Sequence, residues 1–138
     1  MVQVAAGLLL RCGRVLACQR AAGATHAGNW EFPGGKREGV ETLPECLKRE
    51  LREELEIEAV VGAPIWHTRH RYPGHAPVEL FFFAVSDFRG PIVNRTFADV
   101  RWVRIGELSR LDFLAADRDL VDRIDCGELV LPTAPGER

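Results

Sequence analysis

Two stretches of this chain are apolar on nearly every residue, and they restrict its fold more than any other feature. Val2 to Leu10 runs into Arg11-Cys12-Gly13-Arg14 and resumes as Val15-Leu16-Ala17-Cys18, while Val78 to Val85 contains Leu80-Phe81-Phe82-Phe83-Ala84. A strand wetted on one face alternates apolar and polar residues, whereas an unbroken run belongs to a well-buried strand. The Cys12-Gly13 pair fits a tight turn, so the first stretch predicts a hairpin. The second predicts a central strand. Shorter strands are expected over residues 57–61, 65–72 and 101–105, the first two parted by Gly62-Ala63-Pro64.

Helices are expected over residues 42–55 and 111–124. The first has Thr42 at its N-cap, Glu45 in capping-box position and Pro44 in the tolerant first turn. Residues 20–30 are rich in Ala and Gly and predict a loop. Glu31-Phe32-Pro33-Gly34-Gly35-Lys36 predicts a turn whose backbone can come close to another group. A brief Leu129-Val130-Leu131 precedes a Pro/Gly tail. Many strands and two helices make an α+β domain, or an α/β/α sandwich. With 138 residues there is room for one domain, placed at residues 1–131, and residues 132–138 are expected to form a mobile tail.

The chain is 46% apolar and 28% charged, which excludes disordered and membrane-spanning classes. Its net charge of −2 speaks against a stable nucleic-acid partner, because gripping duplex needs a basic excess. The run Val4 to Leu10 is too short for a membrane span or a signal sequence, so a cytoplasmic protein with no membrane partner is expected. Cys12, Cys18, Cys46 and Cys126 form no Cys-x-x-Cys pair and predict small buried thiols rather than a zinc site.

Residues 41–58 hold seven acids (Glu41, Glu45, Glu50, Glu53, Glu54, Glu56 and Glu58) against Lys48, Arg49 and Arg52. Such a run is ordinarily a solvated helix face. At about 100° per residue, however, Leu43, Leu47, Leu51 and Leu55 make one apolar stripe about 120° wide. Glu54 projects to its middle, Glu50 to its edge and Glu53 one step further round. Lys48, Arg52, Glu45 and Arg49 fall on the opposite side. Carboxylates spaced at i, i+3 and i+4 repel one another, and burial makes their ionisation costlier still. With the helix's bases pointing away, a bound divalent cation is the economical counter-charge. Hard carboxylate oxygens without His or Cys suit Mg²⁺ or Mn²⁺, and Mg²⁺ commonly acts together with substrate phosphates.

The same residues resemble the Nudix box: Gly35, five residues, Glu41, seven residues, then Arg49-Glu50-Leu51-Arg52-Glu53-Glu54-Leu55-Glu56-Ile57. Every fixed position fits except the last glycine, where Glu56 stands. The turn Asn29 to Lys36, the preceding Arg20, the Trp102 strand and the Asp117 segment extend the resemblance to MutT-like members over about residues 2–125. The resemblance implies a Nudix fold with a mixed sheet between helices, and hydrolysis of a nucleoside diphosphate linked to another group. In MutT-like members such as 8-oxo-dGTP diphosphatases and CTP pyrophosphohydrolases, a nucleoside triphosphate becomes a monophosphate and pyrophosphate.

By that resemblance Glu50, Glu53 and Glu54, with the Gly34 carbonyl, ligate the metal, and Glu50 or Glu53 activates the attacking water. Arg49 anchors the loop that Glu41 braces, Gly35 is a structural box position, and Lys36 and Arg20 contact phosphates. Glu56, in place of the glycine, carries a strain of about 1–2 kcal/mol unless the helix ends differently. Relatives often add a carboxylate where Thr96 stands, so either Asp99 substitutes or the helix acids act alone.

Phe32 and Tyr72 are candidates to sandwich a base, with core packing the alternative for Phe32. Asp117 stands where relatives read oxidised guanine or cytosine, with a helix N-cap as its ordinary alternative. His67 and His70 are candidates to line the pocket, and Arg69 and Arg71 are expected in solvent. The expected partner is a small nucleotide, bound by a monomer or homodimer. Other readings are hydrolysis of ADP-ribose, a dinucleoside polyphosphate or capped RNA, or a non-catalytic nucleotide-binding domain; such domains usually lose box carboxylates, and none is lost here.

Overall fold

The computed structural model describes residues 1–132 of the chain. The first apolar stretch is strand β1 (Val2–Arg11), which turns into β2 (Arg14–Gln19) with Leu10 opposite Val15 and Arg11 opposite Arg14. Cys12 and Gly13 both take positive φ, 52° and 71°, as a two-residue hairpin turn requires. β3 (Trp30–Glu31) pairs with the end of β2, and β4 (Gly34–Lys36) pairs with β1. Helix α1 (Leu43–Leu55) follows, then β5 (Glu58–Val60) and β6 (Pro64–His70).

The second apolar stretch, β7 (Val78–Val85), lies parallel to β1 from Val2–Val78 to Leu9–Val85 and antiparallel to β6. β8 (Asp87–Arg89) pairs only with β5, and β9 (Asp99–Arg104) extends the main sheet beside β2. Helix α2 (Ala115–Asp125) comes last. The sheet order β3-β2-β1-β7-β6, with β4 also on β1 and β9 also on β2, is a mixed sheet, so the α+β expectation holds.

Both faces of the sheet are covered, which is why β1 is apolar from Val4 to Leu10. Ala6, Leu8 and Leu10 pack with Phe82 and with Leu120, Val121 and Ile124 of α2. Their neighbours Ala5 and Leu9 point the other way, against Phe83 and against Leu47, Leu51 and Leu55 of α1. Each leucine so buried contributes about 1.5–3 kcal/mol. The two cores make the α/β/α sandwich.

Helix α1 starts as expected: the Thr42 hydroxyl accepts from the Glu45 amide at 3.2 Å, and the Glu45 carboxylate accepts from the Thr42 amide at 2.8 Å. It also ends where a glycine would end it, because Glu56 adopts the left-handed conformation (φ 57°, ψ 35°).

Several expectations need correction. Residues 34–36 form a strand rather than a turn, because Gly34 and Gly35 lie opposite Ala6 and Ala5. The close approach is real: a Cβ on Gly34 would fall 2.0 Å from the Ala5 carbonyl oxygen. Strand β8 was not anticipated, being three residues with charged ends directly after β7. Cys18 and Cys46 are buried, but Cys12 and Cys126 are exposed. Of the expected tail at residues 132–138, residues 133–138 lie outside the described residues. No described helix is long and apolar enough to cross a membrane.

Removing the capping hydroxyl with Thr42→Ala is expected to lower stability by about 1 kcal/mol in denaturant titrations, with an unchanged m-value.

Candidate active site

The geometry begins at Arg49. Its guanidinium donates to both oxygens of Glu41 (2.8 and 3.1 Å), to Glu50 Oε1 (2.8 Å), to Glu53 Oε2 (3.3 Å) and to the Lys36 carbonyl (3.1 Å). This corrects the expectation that every base on the helix points away. The helical wheel places the Arg49 backbone correctly, but the long side chain folds back along the helix toward the acids. Glu41 also accepts from the Glu38 amide at 2.8 Å. The hydrogen bonds from Arg49 chiefly hold the Glu41 carboxyl down, at about 2.

Glu50 is pressed over β4: a Cβ on Gly35 would lie 2.4 Å from its carboxyl carbon, so only a glycine leaves it room. Burial raises the Glu50 carboxyl, and Arg49 partly offsets the rise. Glu54 sits deeper, its Oε1 accepting from the Gly34 amide at 3.0 Å. Burial first, then repulsion from Glu50 and Glu31, pushes Glu54 up to about 9 against the pull of the Gly34 amide. Glu53 is the most exposed of the three helix acids.

Beside these acids opens a cavity of about 430 Å³. Gly34, Gly35, Lys36, Glu54 and Thr96 line one part of it, and Phe32, Tyr72, Leu114 and Asp117 another. The cavity thus joins Glu54 of α1 to an apolar, aromatic region supplied by β1, Phe32 between β3 and β4, and α2; Glu50 and Glu53 do not line it. Phe32 is buried, its ring 5.0 Å from that of Phe113 and 6.2 Å from that of Phe82, so it belongs to the core and to the cavity wall at once. The Tyr72 hydroxyl accepts from the Ala116 amide at 3.3 Å.

Asp117 is not an N-cap. Leu114 holds that position, and Asp117 lies in the first turn of α2 at 4% exposure. Burial, then repulsion from Glu31, raises its carboxyl to about 8 against the neighbouring Phe32 amide and Arg20.

Glu31 acts on both regions, since it raises Glu54 and Asp117 alike. The sequence reading passed over it; an acid set between Trp30 and Phe32 was the signal available. Burial raises its own carboxyl, and Arg20 opposes that. Arg20 lines the cavity, but its guanidinium is engaged with both Glu31 oxygens (3.1 and 3.0 Å), with the Thr25 carbonyl (2.6 Å) and with the Thr25 hydroxyl (3.1 Å). Lys36 is exposed at the opening.

The histidine expectation is corrected, because His26 and His75 line the cavity. His67 instead stacks on Phe81 and bonds Glu79, while His70 packs edge-on against Tyr72. Arg69 and Arg71 are exposed, as expected. Asp99 pairs with Arg101 at 3.1 Å and does not line the cavity.

Among the described residues, no three His, Cys, Asp or Glu side chains stand as a ready-made cage for a divalent cation. The chemistry nevertheless fits. Glu50, Glu53 and Glu31 all oppose ionisation of Glu54, and a hard cation bound to carboxylate oxygens would relieve that repulsion.

Residues 1–124 match the family model described as the NUDIX domain. A CTP pyrophosphohydrolase of Escherichia coli K12 is 35% identical over 88% of this chain and 90% of its own length. An 8-oxo-dGTP diphosphatase of Haemophilus influenzae is 33% identical over 90% of this chain and 91% of its own length. Among solved structures, that of the E. coli ORF135 protein superposes with a TM-score of 0.79 at 35% identity, covering 88% of this chain and 86% of that one. A MutT protein from Methanosarcina mazei Go1 shares the fold, with a TM-score of 0.82 at 23% identity over 92% of this chain and 94% of its own. With the box residues gathered around Arg49 and nearly the whole chain matched, this protein belongs to the Nudix family as a MutT-like Nudix hydrolase.

Proposed function

We propose that this Nudix hydrolase is a magnesium-dependent pyrophosphohydrolase of nucleoside triphosphates, ribo or deoxyribo, that favours an oxidised or otherwise modified base. One observation carries the reading: one cavity is lined both by Glu54, which other carboxylates crowd, and by the buried Asp117, whose carboxyl burial raises to about 8. The names borne by the relatives, CTP pyrophosphohydrolase and 8-oxo-dGTP diphosphatase, support the same substrate class.

Glu50, Glu53 and Glu54, with the Gly34 carbonyl, are the groups to hold Mg²⁺ or Mn²⁺. When bound, such an ion lowers the pKa of water and neutralises charge on the phosphates. The chain's own residues do the rest. Arg49 donates to Glu50 Oε1 and Glu53 Oε2 and so holds both side chains in place. In this reading Glu53, with Glu50 beside it, takes the proton as the water oxygen bonds to one phosphorus of the α–β anhydride. The bridging P–O bond breaks, and pyrophosphate and monophosphate separate. Glu41 braces Arg49, and Lys36 at the opening balances phosphate charge. Phe32 and Tyr72 flank the base. A protonated Asp117 carboxyl both donates and accepts, which suits a purine edge or a cytosine edge.

The direct test ranks 8-oxo-dGTP, dGTP, dCTP, 5-methyl-dCTP and CTP by kcat/KM with magnesium present; no pyrophosphate release from any of them would refute the proposal. Glu53→Gln is expected to lower kcat by about 10²–10⁴-fold, and near-wild-type turnover would remove Glu53 from water activation. Magnesium is expected to raise the Tm of the wild type and to raise that of Glu54→Gln far less, since only an ion that binds the native state stabilises it.

Asp117 makes a separate prediction. A buried carboxyl raised to about 8 from its ordinary 3.8 keeps its proton in the native state over a range where the unfolded chain has lost it. Its contribution to stability is therefore fully present below the ordinary value and lost as pH rises through the folded one. Between about pH 5 and about pH 8.5 the wild-type Tm should fall, and that of Asp117→Asn should fall less steeply. Parallel Tm profiles would mean that Asp117 is not held protonated.

A further inference from the structure

Glu56 is the one residue of the box stretch that departs from the pattern, and the structure provides it with a partner. It takes the left-handed conformation at the end of α1, which costs a non-glycine residue where glycine adopts it freely. Its carboxylate reaches Arg95, thirty-nine residues on, and pairs with the Arg95 Nε. Two backbone bonds join the same segments: the Arg95 amide donates to the Glu54 carbonyl at 2.9 Å and the Val93 amide to the Leu55 carbonyl at 3.0 Å. These carbonyls lie in the last turn of α1, where a helix has no acceptor partners of its own. Gly90 packs against the same end, as a Cβ there would lie 3.3 Å from the Glu56 carbonyl oxygen.

The segment is held beyond Arg95 as well. Asn94 Oδ1 accepts from the Thr96 and Phe97 amides at 3.2 and 2.8 Å, and its Nδ2 donates to the Phe97 carbonyl at 2.8 Å. Phe97 is buried in the α1-side core. The Ala98 amide donates to the Gln19 carbonyl at 2.9 Å. Between Arg95 and Phe97 stands Thr96, which lines the cavity together with Gly34, Lys36 and Glu54.

We propose that Glu56 and Arg95 form a clasp that positions Thr96 against the phosphate-bearing part of the substrate; this rests on the reading of the site as one for nucleoside triphosphates. Thr96 offers one hydroxyl donor to a phosphate oxygen. Exposed ion pairs add little to stability, so the consequence of this one is geometric. Glu56, two residues beyond Glu54, and its partner Arg95 thus set where the facing wall of the cavity stands. Glu56 and Arg95 are positioning residues, and Thr96 is the group that meets the substrate.

Steady-state kinetics on a cleaved nucleoside triphosphate, together with Tm, separate this role from a purely structural one. Glu56→Gly should keep or raise Tm, because glycine is at ease in that conformation, yet raise KM by about tenfold with a smaller change in kcat. Arg95→Ala should do the same, and the double variant should be no worse than either single one. Exchanging the charges (Glu56→Arg with Arg95→Glu) should recover much of the loss. Thr96→Val should reproduce the rise in KM, and Thr96→Ser should restore it. Wild-type KM in a folded Glu56→Gly, or losses that simply add in the double variant, would overturn the clasp. So would an unaffected Thr96→Val. A wild type that cleaves no nucleoside triphosphate would instead sink the functional reading, and this inference with it.

Discussion

One guanidinium holds the acid part of this site together. Arg49 binds Glu41 from the preceding loop, Glu50 and Glu53 from its own helix, and the carbonyl of Lys36 from β4. Five donors in a rigid planar fork allow one side chain to do this, and a lysine ammonium has neither the number nor the geometry. Without that fork, the acids of α1 would face one another with no positive charge among them. The loop between β4 and α1 would also lose its tie to the helix.

The remaining tension is concentrated at Glu54 and Asp117. Both are acids in surroundings that oppose their charge, and Glu31 presses on each. They differ in what relieves them. Glu54 stands among other carboxylates and beside a strand of glycines that leaves room for close approach, which suits a cation. Asp117 stands against Phe32 among apolar residues of α2, where keeping its proton is the cheaper solution. Two carboxyls that burial pushes the same way thus stand among very different neighbours on the wall of one cavity.

Much of this was legible in the chain itself. The unbroken runs at residues 2–10 and 78–85 announced strands covered on both faces, and Thr42, Pro44 and Glu45 announced where α1 begins. The leucine stripe put Glu54 toward the core before any coordinates did. The errors share a cause. Gly34 to Lys36 looked like a turn because glycine and proline punctuate a chain, yet β1 lay within reach and paired with it. Arg49 was assigned to solvent because a wheel describes where Cβ points, not where a long side chain ends. Glu31 passed unnoticed, and Asp99 was entertained, because nothing local says which acid faces a cavity and which meets an arginine.

Residue spacing alone determined the main helices and the longer strands, the two-faced burial of the central strands and the clustering of Glu50, Glu53 and Glu54 on one side of α1. These depend on periods of about 2 and 3.6 residues, which any stretch of backbone carries within itself. Only the folded arrangement decided that Glu56 would meet Arg95, that His26 and His75 rather than His67 and His70 would line the cavity, and that burial would raise the Asp117 carboxyl. Contacts between distant segments and the loss of water around a carboxyl are sums over neighbours that the linear order does not contain.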